Sequence, residues 1–78
     1  MNFTIYSKDG CPFCTQVKKV LELAKLPHVV YDLNTDFQRD EFYDEFGKGA
    51  SFPQVTVNGK KLGGCTDTVK YLREHNFV

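Results

Sequence analysis

The chain has 78 residues, of which 41% are hydrophobic, and its 10 basic and 10 acidic side chains give a formal net charge of zero. This length predicts one domain spanning residues 1–78, with a modest core and a small stability margin. The zero net charge gives no electrostatic reason to expect a nucleic acid or an anionic membrane as partner, and no apolar run approaches the ~18 residues of a transmembrane helix.

The chain begins with an apolar run at residues 3–6, which predicts a strand that ends in a turn. A helical pattern from Pro12 to about Lys25 follows at once, with apolar residues on one face from Phe13 to Ala24. Proline suits the first position of a helix, so Cys11 is the predicted N-cap. The free N–H groups of the first turn and the helix dipole there favour a thiolate over a thiol.

The spacing of Cys11 and Cys14 at a strand-to-helix junction is typical of a redox pair. Cysteines at helix starts have pKa values of roughly 3.5–7.5 instead of ~8.5. We therefore predict Cys11 as the nucleophile and Cys14 as the resolving thiol. One alternative is half of a zinc site completed by Cys65, His28 or His75. Structural zinc needs four ligands, however, and these residues do not form a second closely spaced pair of ligands. The other is a static disulfide.

The cysteine count also bears on the cellular setting. Three cysteines, an odd number, do not make a disulfide framework. The first residues also lack the apolar stretch of a secretory signal. Together these features predict a reducing, cytoplasmic setting.

A second strand is predicted at residues 28–33, where nearly continuous apolar character is expected of a strand covered on both faces. Thr35 and Gln38 then match a capping box for a second helix. That helix is predicted to end near Gly47.

The last third of the chain has the pattern of a hairpin followed by a helix. Strand three is predicted at 54–57, a turn at Asn58-Gly59, and strand four at 60–62, where lysines suit an exposed edge. The final helix is predicted from about residue 66 to 75. The order βαβαββα makes an α/β fold with a four-stranded mixed sheet, whose first two strands are parallel and whose last two are antiparallel.

Two further segments have a local physical interpretation. Pro53 precedes strand three, and an X-Pro bond in a folded protein is cis in only about 5–6% of cases, so by itself it predicts a strand-entry proline. Gly63 and Gly64 precede the last helix. Glycines let a backbone approach a ligand closely, and the N–H groups at a helix start favour an anion.

Three segments together resemble the glutaredoxin family, a group of small oxidoreductases that use glutathione. They are Lys8 with Cys-Pro-Phe-Cys at 11–14, Ser-Phe-Pro at 51–53, and Gly-Gly-Cys-Thr-Asp at 63–67. They occur in the order of the family and at close to its spacing, and the likeness covers essentially the whole chain. It implies a thioredoxin-like fold, with glutathione as the reductant and no metal.

The resemblance also implies where glutathione binds. The matching proline of the family is cis and faces the cysteines, and the residue before it pairs its backbone with the cysteine of glutathione. These roles fall on Pro53 and Phe52, where Phe52 replaces the usual valine and packs its ring either in the core or along the groove.

The turn at the last helix matches the family's site for the γ-glutamyl group. Backbone amides around Gly64, Cys65 and Thr66 would hold its carboxylate, and Asp67 would meet its α-amino group. Asp67 has another interpretation, as an acid that complements the helix dipole. Cys65 is predicted to be a small, partly buried thiol without a catalytic role.

The glycine carboxylate of glutathione needs a cation, and Lys8 is the first candidate. The family also uses a Gln or Arg on the second helix. Arg39 matches that residue if one residue is inserted around positions 48–50, and Gln38 is the neighbouring alternative. Phe13 replaces the more common tyrosine between the cysteines. It keeps a ring beside the glutathione site and loses the hydroxyl.

The implied function is glutathione-dependent reduction of protein disulfides and of glutathione mixed disulfides by a monomer. Its partners would be glutathione and disulfide-containing or glutathionylated proteins, with ribonucleotide reductase a client by analogy alone. One alternative is a redoxin that thioredoxin reductase serves. Another is a carrier of a 2Fe–2S cluster held by Cys11 and glutathione, although Pro12 and Cys14 argue against it.

Overall fold

The computed structural model describes residues 2–77 and has the predicted order βαβαββα. The strands are β1 (Phe3–Ser7), β2 (His28–Asp32), β3 (Gln54–Val57) and β4 (Lys60–Gly63). The helices are α1 (Pro12–Leu23), α2 (Arg39–Phe46) and α3 (Cys65–Glu74). Apart from the start of α2, each element lies within two residues of its predicted bounds. No helix within 2–77 has the length and apolar character needed to cross a bilayer.

The four strands form one mixed sheet in the order β2-β1-β3-β4. Strand β1 is parallel to β2 and antiparallel to β3, and β3 is antiparallel to β4. The β3–β4 turn is made by Asn58 and Gly59, whose φ angles of 49° and 84° are those that a two-residue hairpin turn requires. The predicted mixed sheet is confirmed.

Strand β2 is not covered on both faces, as its apolar run predicted. It lies at one edge of the sheet, and its residues alternate between half-buried and exposed. Val29 is 45% exposed and Tyr31 is 41% exposed. Valine and tyrosine favour any strand, at the edge or in the centre, so their presence carries no information about which strands lie beside them.

The start of α2 also differs from its prediction. The capping box of Thr35 and Gln38 is wrong, because Gln38 is itself the N-cap and its backbone N–H donates to Glu41 Oε1 at 3.0 Å. Thr35 lies in the preceding turn. That turn is held by the Asp36 carboxylate, which accepts from the backbone N–H of Asp32 at 2.8 Å. A local aspartate turn thus replaces the first helical turn that the pattern suggested.

The main core lies between the sheet and the pair α1 and α3. Its buried side chains come from β1 and β3 and from the two helices: Phe3, Ile5, Val17, Leu21, Val55, Val57 and Leu72. Helix α2 packs on the opposite face, where the Tyr6 and Phe46 rings have centroids 5.0 Å apart. Alternate side chains of β1 therefore pack on opposite faces of the sheet, against α1 and α3 on one face and against α2 on the other.

Helix α1 turns its buried face slightly away from the predicted one. The buried residues are Cys14, Val17 and Leu21, while Phe13 is 57% exposed. The pattern had placed Phe13 on the apolar face. The difference matters for the site, because the Cys14 side chain is buried in the core and the Phe13 ring lies at the surface.

Candidate functional site

Cys11 occupies the N-cap of α1. Its backbone is extended (φ −109°, ψ 103°) and Pro12 takes the first helical position. The backbone N–H of Cys14 donates a hydrogen bond to Cys11 Sγ at 3.1 Å. This confirms the predicted amide contact from Cys14, whereas within residues 2–77 the Phe13 N–H makes no such bond. The N-cap sulfur takes the place that an oxygen acceptor usually fills at a helix start.

Cys11 and Cys14 form a disulfide. Cys11 is 9% exposed and Cys14 is 1% exposed, so the Cys11 sulfur is the one that a reactant in solvent can reach. This difference in exposure fits the predicted roles, in which the more exposed Cys11 attacks the substrate and the buried Cys14 resolves the mixed disulfide. Gly10, with φ +70°, makes the turn that brings Cys11 to the helix start.

The Phe52-Pro53 peptide bond is cis, as the resemblance predicted, and Pro53 is buried. The Phe52 ring stacks on the buried Phe42 ring of α2, with centroids 4.2 Å apart and planes 9° apart. The ring therefore packs in the aromatic layer beneath α2, one of the two expected arrangements. The Nζ atom of Lys8 lies over the same ring, 5.3 Å from its centroid.

The turn before α3 depends on two glycines. Gly63 has φ +113°, and a Cβ added there would overlap the Asp67 carboxylate. A Cβ on Gly64 would lie 3.5 Å from the carbonyl oxygen of Pro53, so the turn passes close to the cis-proline segment. The Asp67 Oδ2 atom accepts from the Gly64 N–H at 3.3 Å. Asp67 thus caps its own helix and keeps its second carboxylate oxygen free of that bond.

These segments enclose a cavity of about 290 Å³, which is lined by Phe13 and by residues 51–54 and 63–67. The cavity is at the small end of the range for ligand pockets. The predicted residues Phe52, Pro53, Gly64 and the first turn of α3 therefore lie together. Neither Cys11 nor Cys14 lies on the wall, but Phe13 between them does.

Two predicted cations lie outside the wall. Lys8 contacts the Phe52 ring from beyond the cavity. Arg39, at the start of α2, places Nη1 3.5 Å from the Tyr43 hydroxyl, and the adjacent Gln38 serves as N-cap. The roles of Lys8, Arg39 and Gln38 toward a carboxylate stay predictions.

Sequence reasoning missed two cavity residues, Ser51 and Gln54. The Gln54 Nε2 atom donates to the Ser51 carbonyl oxygen at 2.9 Å and bridges the cis-proline turn. The available signal was the period of strand β3, which turns Gln54 away from the side of the buried Val55.

Cys65 is the third thiol and the one free cysteine among residues 2–77. Burial raises the pKa of the Cys65 thiol above its ordinary value. Its Sγ lies 4.0 Å from the Gln16 side-chain oxygen. The partly buried, unreactive thiol that the sequence predicted matches this environment. Within the same residues, no group of three or more His, Cys, Asp or Glu side chains is placed to hold a metal ion.

Comparison with known sequences gives one family. The family model Glutaredoxin matches residues 3–62. Glutaredoxin-C6 of Oryza sativa subsp. japonica is 34% identical over 77 residues, covering 95% of this chain and 69% of the relative. Among eight of the curated relatives, the chain spans from 42% to 74% of the relative's length, and for several of them this share is about half.

Solved structures agree on the fold. The reduced glutaredoxin of Escherichia coli superposes with a TM-score of 0.82 at 22% identity, covering 100% of both chains. A complex of buckwheat glutaredoxin with glutathione superposes with a TM-score of 0.79 at 23% identity, covering 96% of this chain and 71% of that one.

A Cys-x-x-Cys pair at the start of α1, together with a cis-proline before the third strand of a mixed four-stranded sheet, defines a thiol oxidoreductase of the thioredoxin-like class. Within that class, the match to the family model and to the curated relatives identifies the family. The chain belongs to the glutaredoxin family.

Proposed function

We propose that this chain is a glutathione-dependent disulfide reductase that acts on protein disulfides and on glutathione mixed disulfides. The observation that carries the proposal is the cavity beside the cysteine pair, whose wall joins the cis-proline segment to the first turn of α3. That wall offers unpaired backbone groups, a carboxylate and a ring, which together suit a short peptide with charged ends.

The cis-proline segment would hold the middle of the peptide. Within residues 2–77, neither the N–H nor the C=O of Phe52 has a hydrogen-bond partner. An extended tripeptide can pair with both groups as an added short strand. Such pairing would bring the cysteine of glutathione toward Cys11.

The first turn of α3 would hold the γ-glutamyl end. The backbone N–H groups of Cys65 and Thr66 have no partner within the described residues, as is usual for the first turn of a helix. Both residues line the cavity, where a carboxylate could accept their hydrogen bonds. Asp67 would pair with the neighbouring ammonium group through the oxygen that does not accept from Gly64.

The chemistry would proceed by thiol–disulfide exchange. The Cys11 thiolate attacks the glutathione sulfur of a mixed disulfide, forming a Cys11–glutathione bond and releasing the client thiol. The thiolate of a second glutathione then attacks that bond, which yields glutathione disulfide and restores the Cys11 thiolate. With a protein disulfide, Cys14 resolves the Cys11–client bond and the Cys11–Cys14 disulfide results.

The test compares two reducing systems on one small glutathione mixed disulfide. We expect turnover with glutathione and glutathione reductase, and little with thioredoxin and thioredoxin reductase. Cys11→Ser should abolish turnover, while Lys19→Gln, an exposed change on α1, should leave it unchanged. Turnover with the thioredoxin system alone would favour the redoxin alternative, and full activity of Cys11→Ser would contradict the mechanism.

Clients and setting follow as further proposals. The chain would act as a monomer in a reducing, cytoplasmic setting, with proteins such as ribonucleotide reductase as clients. A Cys14→Ser variant should trap clients as mixed disulfides on Cys11, which mass spectrometry identifies. A brown, dimeric protein from anaerobic purification would instead support the 2Fe–2S carrier.

A further inference from the structure

The Gln54 side chain holds the backbone of the segment that precedes β3. Its Nε2 atom donates to the Ser51 carbonyl oxygen at 2.9 Å. Within residues 2–77, this is the one hydrogen bond that the backbone of Ser51 or Phe52 makes. The orientation of the peptide unit between Ser51 and Phe52 therefore depends on a single side chain.

Gln54 is itself fixed in the sheet. It is the first residue of β3 and pairs with Tyr6 of the neighbouring strand β1. Its side chain lies on the face of the strand opposite to that of Val55, which is fully buried. Because the sheet holds the backbone of Gln54, the side chain links a rigid strand to a loop residue three positions earlier in the chain.

The bond to the Ser51 carbonyl also fixes the Phe52 N–H. The two groups belong to one planar trans peptide unit, in which the C=O and the N–H point in opposite directions. The stack of the Phe52 ring on Phe42 holds the side chain, but it leaves the peptide plane free to rotate between its flanking Cα atoms. A peptide that accepts a hydrogen bond at its carbonyl is also polarised, which strengthens its N–H as a donor.

We propose that Gln54 is a positioning residue for glutathione, which acts by orienting and polarising the peptide unit that carries the Phe52 N–H. The inference rests on the proposed function, in which the Phe52 N–H and C=O pair with glutathione as with an added strand. Gln54 and Phe52 both line the cavity in which that pairing would take place. A donor that is oriented before the substrate arrives need not be ordered during binding, so the affinity is higher.

Removing the donor of Gln54 should weaken substrate binding more than catalysis. Gln54→Met keeps the length of the side chain and leaves the Phe52 N–H free to turn away from the substrate. We expect the KM for a glutathione mixed disulfide to rise about three- to tenfold, the effect of one net hydrogen bond. The kcat should stay within about twofold, because the bound substrate and the transition state make the contact equally.

Thr56→Val is the matched control. It removes a hydroxyl from the same face of β3 as Gln54, outside the cavity wall, and should leave KM and kcat unchanged. Steady-state rates of the wild type and both variants are measured with one small glutathione mixed disulfide, and each protein is also denatured in urea. An equal rise of KM in Thr56→Val overturns the proposal.

The same data separate a positioning role from a structural one. A Gln54→Met protein with the KM of the wild type overturns the proposal even if its free energy of unfolding is lower, because the side chain would then only stabilise the fold. In that case the activity of the wild type still supports glutathione-dependent turnover. A wild type without such turnover overturns both the proposed function and the role of Gln54.

Amide hydrogen exchange provides a second measurement, at the Phe52 N–H itself. The Cys14→Ser protein is loaded with glutathione on Cys11, so that the site stays occupied. Exchange at Phe52 should be about tenfold slower than in the unloaded protein, and adding Gln54→Met should remove part of this protection. Equally fast exchange at Phe52 with and without glutathione overturns the proposal even if Gln54→Met folds poorly. Protection that Gln54→Met leaves intact overturns it as well.

Discussion

The Nζ atom of Lys8 lies 5.3 Å from the centre of the Phe52 ring, and the ring stacks on Phe42 behind it. The cation beside the cysteine loop is therefore positioned by the residue that precedes the cis-proline. An ammonium over an aromatic face contributes about 0.5–1 kcal/mol at exposed sites. The two segments that flank the nucleophile are coupled through this contact.

A double-mutant cycle measures the coupling. Phe52→Leu should lower the free energy of unfolding by about 1 kcal/mol, because it removes the stack on Phe42. Lys8→Met combined with it should show an interaction energy of about 0.5–1 kcal/mol in urea denaturation. Lys19→Met serves as the control lysine and should be additive with Phe52→Leu. Full additivity of the Lys8 and Phe52 changes would show that the contact contributes nothing.

The two cysteines are predicted to differ in what their loss removes. Cys14→Ser should keep reduction of a glutathione mixed disulfide, which needs one thiol, and should lose reduction of a protein disulfide by the dithiol route. Cys11→Ser should lose both, because Cys14 is 1% exposed and out of reach of a client. Steady-state rates with each substrate class check this. A Cys14→Ser protein as active as the wild type on both substrates would contradict the resolving role.

Asp67→Asn tests the charge at the first turn of α3. The amide oxygen can still accept from the Gly64 N–H, so the free energy of unfolding should change by less than about 1 kcal/mol. Loss of a charge-assisted hydrogen bond to an ammonium should raise the KM for glutathione roughly tenfold. Coupled assays at varied glutathione concentration give this value. An unchanged KM would leave Asp67 only its role as a helix cap.

Cys65 should react slowly with alkylating agents at neutral pH. Burial raises the pKa of this thiol above its ordinary 9.0, so its thiolate fraction is lower than that of an exposed cysteine. The reaction rate should rise with pH and continue to rise beyond pH 9.0. Because the folded pKa is the higher one, the neutral thiol stabilises the fold below the unfolded pKa, and this contribution is lost as pH rises through the folded pKa.

Mass spectrometry of the reduced protein after timed alkylation with iodoacetamide checks this prediction. Cys11, at the helix start, should be modified first. Fast labelling of Cys65 at neutral pH would contradict the raised pKa.

Local patterns predicted much of this fold because they report on neighbouring residues. Strand and helix periods gave the order of elements, and Asn58-Gly59 gave the hairpin. The edge position of β2 was not predictable, because it depends on which strands lie beside it. The exposure of Phe13 was missed for a similar reason, since the tertiary position of α1 puts Cys14 inward in its place.

Local sequence patterns predicted only part of the candidate site. The N-cap position of Cys11 follows from proline and helix geometry alone, whereas the cis bond at Pro53 came only from the family resemblance.

Gly63 combines a φ of +113° with a Cβ direction that runs into the Asp67 carboxylate. The backbone angle disfavours every other amino acid, and an added Cβ would push the Asp67 carboxylate away from the Gly64 N–H. A saturation library at this codon, selected for folding and turnover, should therefore return mainly glycine. Selection at position 64 should be more permissive, because its added methyl group would meet only a carbonyl oxygen at 3.5 Å.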